Sequence, residues 1–153
     1  SSRPIYRHGH VYVFCGMGSM TAIRPGGKGD VDKTHVTWAR RRVVPKKSSP
    51  LLLNGLLFMI SDEGVASCSD PLTGKIHWAE RMGVKGQCAS SPIHASGRIY
   101  SFSSEGDCIV FKAQKEGLSI LAHNKLSHGC MASPAVNGDS LLVRTKNSLY
   151  RFN

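Results

Sequence analysis

The sequence predicts an all-β chain built from four-stranded antiparallel meanders, and three observations carry that prediction. The chain repeats itself, its apolar runs are only four to six residues long, and glycine-bearing turns punctuate them at regular places. Among 153 residues there are 16 Gly and 7 Pro, and no stretch keeps the 3.6-residue apolar period of a helix.

The repeat is clearest when SSPLLLNGLLFMISDEGVASC (48–68) is set beside SSPIHASGRIYSFSSEGDC (90–108). Anchoring each copy on its proline gives Pro4, Pro50, Pro92 and Pro134, at intervals of 46, 42 and 42 residues. Seven residues later stand Val11, Leu57, Ile99 and Leu141, and eight later Tyr12, Phe58, Tyr100 and Leu142. Fourteen later come Gly18, Gly64, Gly106 and Ser148; sixteen later Met20, Ala66, Cys108 and Tyr150; eighteen later Ala22, Cys68, Val110 and Phe152.

Each element of a copy has a physical reason. The proline opens a short strand, where its missing N–H does least harm. A tight turn follows at His8-Gly9, Asn54-Gly55, Ser96-Gly97 and Asn137-Gly138, with Gly supplying a positive φ. The second strand is apolar: VYVFC, LLFMIS, IYSFS, LLVRT. A second turn holds Gly16-Met17-Gly18, Glu63-Gly64, Glu105-Gly106 or Asn147-Ser148, and a third strand follows, as in VASCS, CIVFK and LYRF. In the second copy Pro71, Thr73 and Gly74 turn the chain into a fourth strand, KIHWAE.

A lone meander leaves both faces bare, and stacking meanders around an axis covers them. The prediction is therefore a β-propeller segment, a single unit with repeats at about 1–46, 47–88, 89–130 and 131–153. Three blades are complete and the fourth has three strands.

The run Cys68 to Trp78, CSDPLTGKIHW, resembles the tryptophan-docking signature of the pyrroloquinoline-quinone-like (PQQ-like, or quinoprotein-like) propeller repeat. Asp70, Thr73, Gly74, Lys75 and Trp78 match that pattern, and Cys68 replaces its alanine. The resemblance implies that Trp78 packs between neighbouring blades. It extends the same role to Trp38, which follows the insertion PGGKGDVDKTH, the source of the 46-residue interval. The third copy, KAQKEGLSILAHNKL, has neither tryptophan nor Thr-Gly. Rings of this repeat type carry seven or eight blades, so the resemblance implies a longer propeller or self-association that completes a ring. It is also similar to outer-membrane assembly lipoprotein propellers, which implies an exported, periplasmic and bacterial setting.

Composition narrows function. No apolar run is long enough to span a bilayer as a helix, and SSRPIYRHGH lacks the apolar core of a signal peptide. The formal charge of +10 concentrates at Arg40, Arg41, Arg42, Lys46 and Lys47, a candidate partner-binding basic loop within the stretch 24–47. A nucleic-acid partner is not expected from so short a run. Five cysteines without a Cys-x-x-Cys pair argue against structural zinc; Cys88 and Cys130 recur four residues before the repeat proline and read as packing residues or channel-lining thiols. His8-Gly9-His10 reads as a turn rather than a metal site, and His94, His123 and His128 as polar lining near the axis. Enzymes with this repeat hold PQQ and calcium through Asp, Glu and Asn, and no such cluster stands out here. The expectation is a non-catalytic protein-binding or assembly scaffold without cofactor or catalytic residues; the alternative is part of a PQQ-dependent dehydrogenase with its catalytic residues elsewhere.

Overall fold

The computed structural model describes residues 2–15 and 17–153. Fifteen strands form four antiparallel sheets among these residues. Blade 1 comprises β1 (Ile5–Arg7), β2 (His10–Cys15), β3 (Ser19–Ile23) and β4 (Val36–Arg40). Blade 2 comprises β5 (Leu51–Leu53), β6 (Leu56–Ile60), β7 (Val65–Ser69) and β8 (Ile76–Arg81). Blade 3 comprises β9 (Ile93–Ala95), β10 (Arg98–Phe102), β11 (Asp107–Lys112) and β12 (Ile120–Lys125). Blade 4 holds β13 (Ala135–Asn137), β14 (Ser140–Arg144) and β15 (Leu149–Phe152). Each sheet pairs its strands in chain order. No helix is long and apolar enough to cross a membrane among the described residues.

The meander follows from its turns. His8, Asn54 and Ser96 have φ of 50°, 48° and 49°, each followed by a Gly with positive φ, so three first hairpins use two left-handed residues in a row. Blade 4 differs. Asn137 pairs with Ser140, so its turn is Gly138-Asp139 rather than Asn137-Gly138, and of the two only Gly138 is left-handed (φ 58°).

Both faces of an inner blade are covered, which explains why β6 reads as an unbroken apolar run rather than an alternation. Leu57 and Met59 pack back against Tyr12, Met20 and Ala22 of blade 1. Phe58, Ile60, Ala66 and Cys68 pack forward against Ile99, Ile109 and Phe111 of blade 3. A third cluster joins Phe102, Cys108, Val110 and Cys130 to Val143 of blade 4. Each fully buried aliphatic or aromatic side chain contributes about 1.5–3 kcal/mol, so the blade interfaces hold most of the cohesion.

The fourth copy departs from the offsets counted along the sequence. Its second turn closes with Thr145 N–H donating to the Ser148 carbonyl, whereas blade 3 closes with Ser103 N–H donating to that of Asp107. The loop is one residue shorter, and β15 is slipped by one. Phe152 pairs with Leu141 and Tyr150 with Val143, as Phe111 pairs with Ile99 and Ile109 with Ser101. Because side chains alternate along a strand, that slip exchanges the two faces. Tyr150 and Phe152 therefore correspond to Ile109 and Phe111, not to Cys108 and Val110, and turn toward blade 3; Leu149 and Arg151 turn away from it.

Candidate functional site

The Ser-Ser-Pro triplets have a structural purpose that reading the prolines and glycines alone missed. Arg3 N–H donates to Ser49 Oγ (3.1 Å), Ser49 N–H to Ser91 Oγ (2.9 Å) and Ser91 N–H to Ser133 Oγ (2.9 Å). The preceding serines lock each blade internally or to its neighbour: Ser48 Oγ donates to the Ile60 carbonyl, Ser90 Oγ to that of Phe102, and Ser2 Oγ to that of Ser48. The recurrence of Ser one and two residues before the proline was the visible signal.

At the outer rim, Trp38 lies over Gly74, where a Cβ would meet its ring at 2.6 Å. Its indole N–H donates to the Pro71 carbonyl (2.8 Å), which also accepts the Tyr12 hydroxyl (3.1 Å). The turn that receives Trp38 is braced by Asp70, whose carboxylate accepts the N–H groups of Leu72 and Thr73. Those bonds, the Thr73 N–H foremost, hold the Asp70 carboxyl below its usual range against the opposing effect of partial burial. Trp78 repeats the contact one blade on, donating to the Gln114 carbonyl (3.2 Å). Ala122 occupies the corresponding place in blade 3, paired with Val110 as Trp78 is with Cys68.

The basic residues divide. Strand β4 lies inside the stretch 24–47 and carries its two flanking loops to opposite ends of the blade, so they do not form one surface. Arg40 is not part of a solvated loop. It ends β4, lies 5.5 Å over the Trp38 ring, and donates both Nη groups to Ser69 Oγ (3.0 and 3.1 Å) in the next blade. Burial lowers its pKa from the ordinary arginine value. The Lys46 N–H donates to Asp62 Oδ1 (2.9 Å), and its ammonium sits 3.5 Å from Glu63. Lys47 reaches Gln87 (2.7 Å) and Asp62 (3.7 Å). Arg41 and Arg42 are exposed and hold no acceptor among the described residues. Buried Val44 and Pro45 anchor the loop beneath them.

A shallow hollow of about 310 Å³ opens at this end, bounded by Met17, Arg41, Lys46, Glu63 and Arg81 among others. Three cations face one carboxylate. Bonds from its own backbone N–H and from Ser61 lead the causes that lower the Glu63 pKa, so it stays ionised and leaves a net positive surface. Acidic groups are the ligands this arrangement favours. Gly16 of the Gly16-Met17-Gly18 turn lies outside the described residues.

The remaining candidates are explained by packing. Cys88 and Cys130 are fully buried, and burial pushes Cys88 up to about 11 and raises Cys130. The Cys130 thiol lies 3.2 Å from each of the Ala132 and Arg144 carbonyls, linking blade 4 to its connection. His10 is held by the His8 carbonyl and Thr37. His123 stands on β12, the outermost strand of blade 3, and not near the axis. There it joins Lys125 on Asp107 Oδ1 (3.1 and 3.0 Å) while Lys85 N–H donates to Oδ2 (2.7 Å). Burial alone would raise the Asp107 pKa, but these bonds outweigh it and the carboxyl falls to about 2. Among the described residues no three His, Cys, Asp or Glu gather as a metal site. The buried carboxylates are already engaged, Asp62 by Lys46 and Lys47 and Asp107 by Lys85, Lys125 and His123, so they do not fit a calcium ligand set.

Comparison with known proteins gives the class first. The fold is that of a β-propeller segment. BamB from Moraxella catarrhalis superposes on 98% of this chain with a TM-score of 0.75 at 16% identity, over 44% of its own length. The quinohemoprotein alcohol dehydrogenase ADHIIG from Pseudomonas putida HK5 superposes on 93% with a TM-score of 0.65 at 12% identity, over 28% of its own length.

Among curated proteins, the outer membrane protein assembly factor BamB of Moranella endobia (strain PCIT) is 22% identical over 102 residues, 67% of this chain. The match spans 25% of that relative's length. No protein-family profile matches the chain.

Proposed function

We propose that this chain is a non-catalytic scaffold segment of an exported bacterial propeller, and that it holds an acidic segment of a protein partner at the hollow beside Arg41. The observation that carries the reading is that Arg41 and Arg42 stand exposed and unengaged beside Lys46 and Arg81, while Arg40 and Lys47 are committed to neighbouring blades. The likeness to BamB, whose name is that of an assembly factor, supports it. A photoreactive residue at position 42 tests it in the exported compartment of a bacterial host. A discrete protein adduct that disappears with Arg41→Glu supports the scaffold; an adduct unchanged by that charge reversal, or none, refutes it.

The likeness to a quinohemoprotein dehydrogenase favours one other reading, in which the chain is a piece of a PQQ- and calcium-dependent enzyme. In that reading the catalytic residues would lie outside this chain, since Asp62 and Asp107 are already engaged here. Titration with PQQ and calcium, followed by quinone absorbance, separates the two: saturable uptake by this chain would favour the enzyme.

A further inference from the structure

In blades 2 and 3 the residue twelve after the repeat proline accepts a hydrogen bond from the connection that enters the blade. Asp62 Oδ1 takes the Lys46 N–H (2.9 Å), with the Lys47 ammonium 3.7 Å from Oδ2, and Ser104 Oγ takes the Gln87 N–H (2.9 Å). Blade 4 has Lys146 at that place. The backbone keeps its pattern, since Lys146 N–H donates to the Gly129 carbonyl (3.2 Å) as Ser104 N–H does to that of Gln87 (2.8 Å). The side chain is reversed in kind, because an ammonium donates and cannot accept. The Gly129 N–H, the counterpart of the Gln87 N–H, accordingly has no acceptor among the described residues.

A hollow of about 360 Å³ opens at this point between the Ser104 turn and blade 4. Gly129, Met131, Arg144 and Lys146 line it, and no Asp or Glu does among the described residues. The carboxylates nearby in sequence are occupied elsewhere. The Glu105 stem lies against Gly86, where an added Cβ would meet its Cγ at 2.9 Å, and Asp107 is held by Lys85, His123 and Lys125. Met131 is 60% exposed, and its flexible thioether moulds to an apolar neighbour. The hollow thus combines cations, an open N–H and a soft apolar edge. A carboxylate suits that set, because a backbone N–H and a lysine ammonium are the two groups that Asp62 already satisfies within the chain.

We infer that this hollow is a second seat for an acidic partner segment. A partner carboxylate takes there, between Lys146 and the Gly129 N–H, the place that Asp62 fills from within the chain, and an apolar neighbour of that acid rests on Met131. The kind of partner rests on the scaffold reading; the seat itself is separate from the hollow at Arg41. Nuclear magnetic resonance of the protein labelled at its methionine methyls and backbone amides tests it, with acetyl-Glu-Glu-Leu-Glu-Glu-amide as the probe and its all-glutamine counterpart as control. The glutamate peptide should shift the Met131 methyl saturably and move the Gly129 amide proton downfield, and the glutamine peptide should do neither. Lys146→Asp supplies the acceptor in cis and should weaken binding at this seat at least about tenfold. Buried Met20, Met59 and Met82 should hold their positions and report an intact fold; Lys146→Ser, the blade 3 residue, replaces Lys146→Asp if that variant does not fold. Unmoved Met131 and Gly129 signals, equal shifts with the glutamine peptide, or binding indifferent to Lys146→Asp overturns the inference. The Met17 methyl reports the Arg41 hollow in the same spectra. A shift at Met17 without one at Met131 sinks only the second seat, and the reverse supports this seat and counts against the hollow at Arg41.

Discussion

Replacing Gly74 by alanine tests the outer-rim contact between blades 1 and 2. Two costs combine at that position. Gly74 has φ +72°, a conformation that costs a non-glycine residue about 1 kcal/mol. The new Cβ would also lie 2.6, 2.9 and 3.0 Å from Cδ2, Cε3 and Cγ of Trp38, so the indole must move. Its displacement sacrifices the 2.8 Å bond to the Pro71 carbonyl, about 1 kcal/mol, and part of the buried ring surface, about another 1–2 kcal/mol. The total expected for Gly74→Ala is about 3–4 kcal/mol. Gly55 is the internal control: it lies in the same blade with φ +74° and has nothing within 4 Å of an added Cβ. Gly55→Ala should cost only the backbone part, about 1 kcal/mol. Urea titration of both variants in a Trp78→Phe background, where Trp38 is the sole tryptophan, reads stability and the indole environment together. Gly74→Ala should red-shift Trp38 emission and Gly55→Ala should not. Equal losses for the two variants would show that Trp38 does not hold the blades together.

Three further outcomes follow from the same structure. Ser91→Ala removes the acceptor of the Ser49 N–H and should cost about 1–2 kcal/mol, with faster hydrogen exchange at the Ser49 amide. Asp107 has a folded pKa depressed to about 2 from an ordinary 3.8, so its stabilisation is complete above about pH 4 and is lost as pH falls through about 2. Allowing for solvent around half-exposed Lys125 and His123, the loss is about 1–2 kcal/mol, and Asp107→Asn should flatten that part of the acid titration. Iodoacetamide at pH 8 should modify exposed Cys15 in the native protein while buried Cys68, Cys88, Cys108 and Cys130 stay unmodified, giving one adduct by mass spectrometry.

The fold was legible because each blade states its own grammar. Proline, left-handed turn residues and unbroken apolar strands recur at fixed offsets, and turn chemistry is local. The signature Asp70, Thr73, Gly74 and Trp78 was legible for the same reason, since a turn and the ring it receives are short-range in pattern even when they join two blades. Counting failed where the chain changed a loop length without changing its composition. Thr145-Lys146-Asn147-Ser148 looks like any turn, but its missing residue exchanges the faces of β15, and only pairing with β14 shows it. Arg40 was misread because charge in a run suggests solvent, while its partner Ser69 lies 29 residues away. The hollow was hidden because Met17, Arg41, Glu63 and Arg81 converge from two blades.

The serine ladder separates the chain's clockwork from its ornament. The rung from Arg3 to Ser49 spans 46 residues and those from Ser49 to Ser91 and Ser91 to Ser133 span 42, yet the bond lengths are 3.1, 2.9 and 2.9 Å. The longer contour of the first copy is taken up between β3 and β4, at the rim, and the hub does not register it. A new loop grafted between third and fourth strands should therefore leave the spacing of the blades untouched. An insertion of equal size before a repeat proline would break a rung, which makes the rim the place where such a chain can acquire new surfaces without being redesigned.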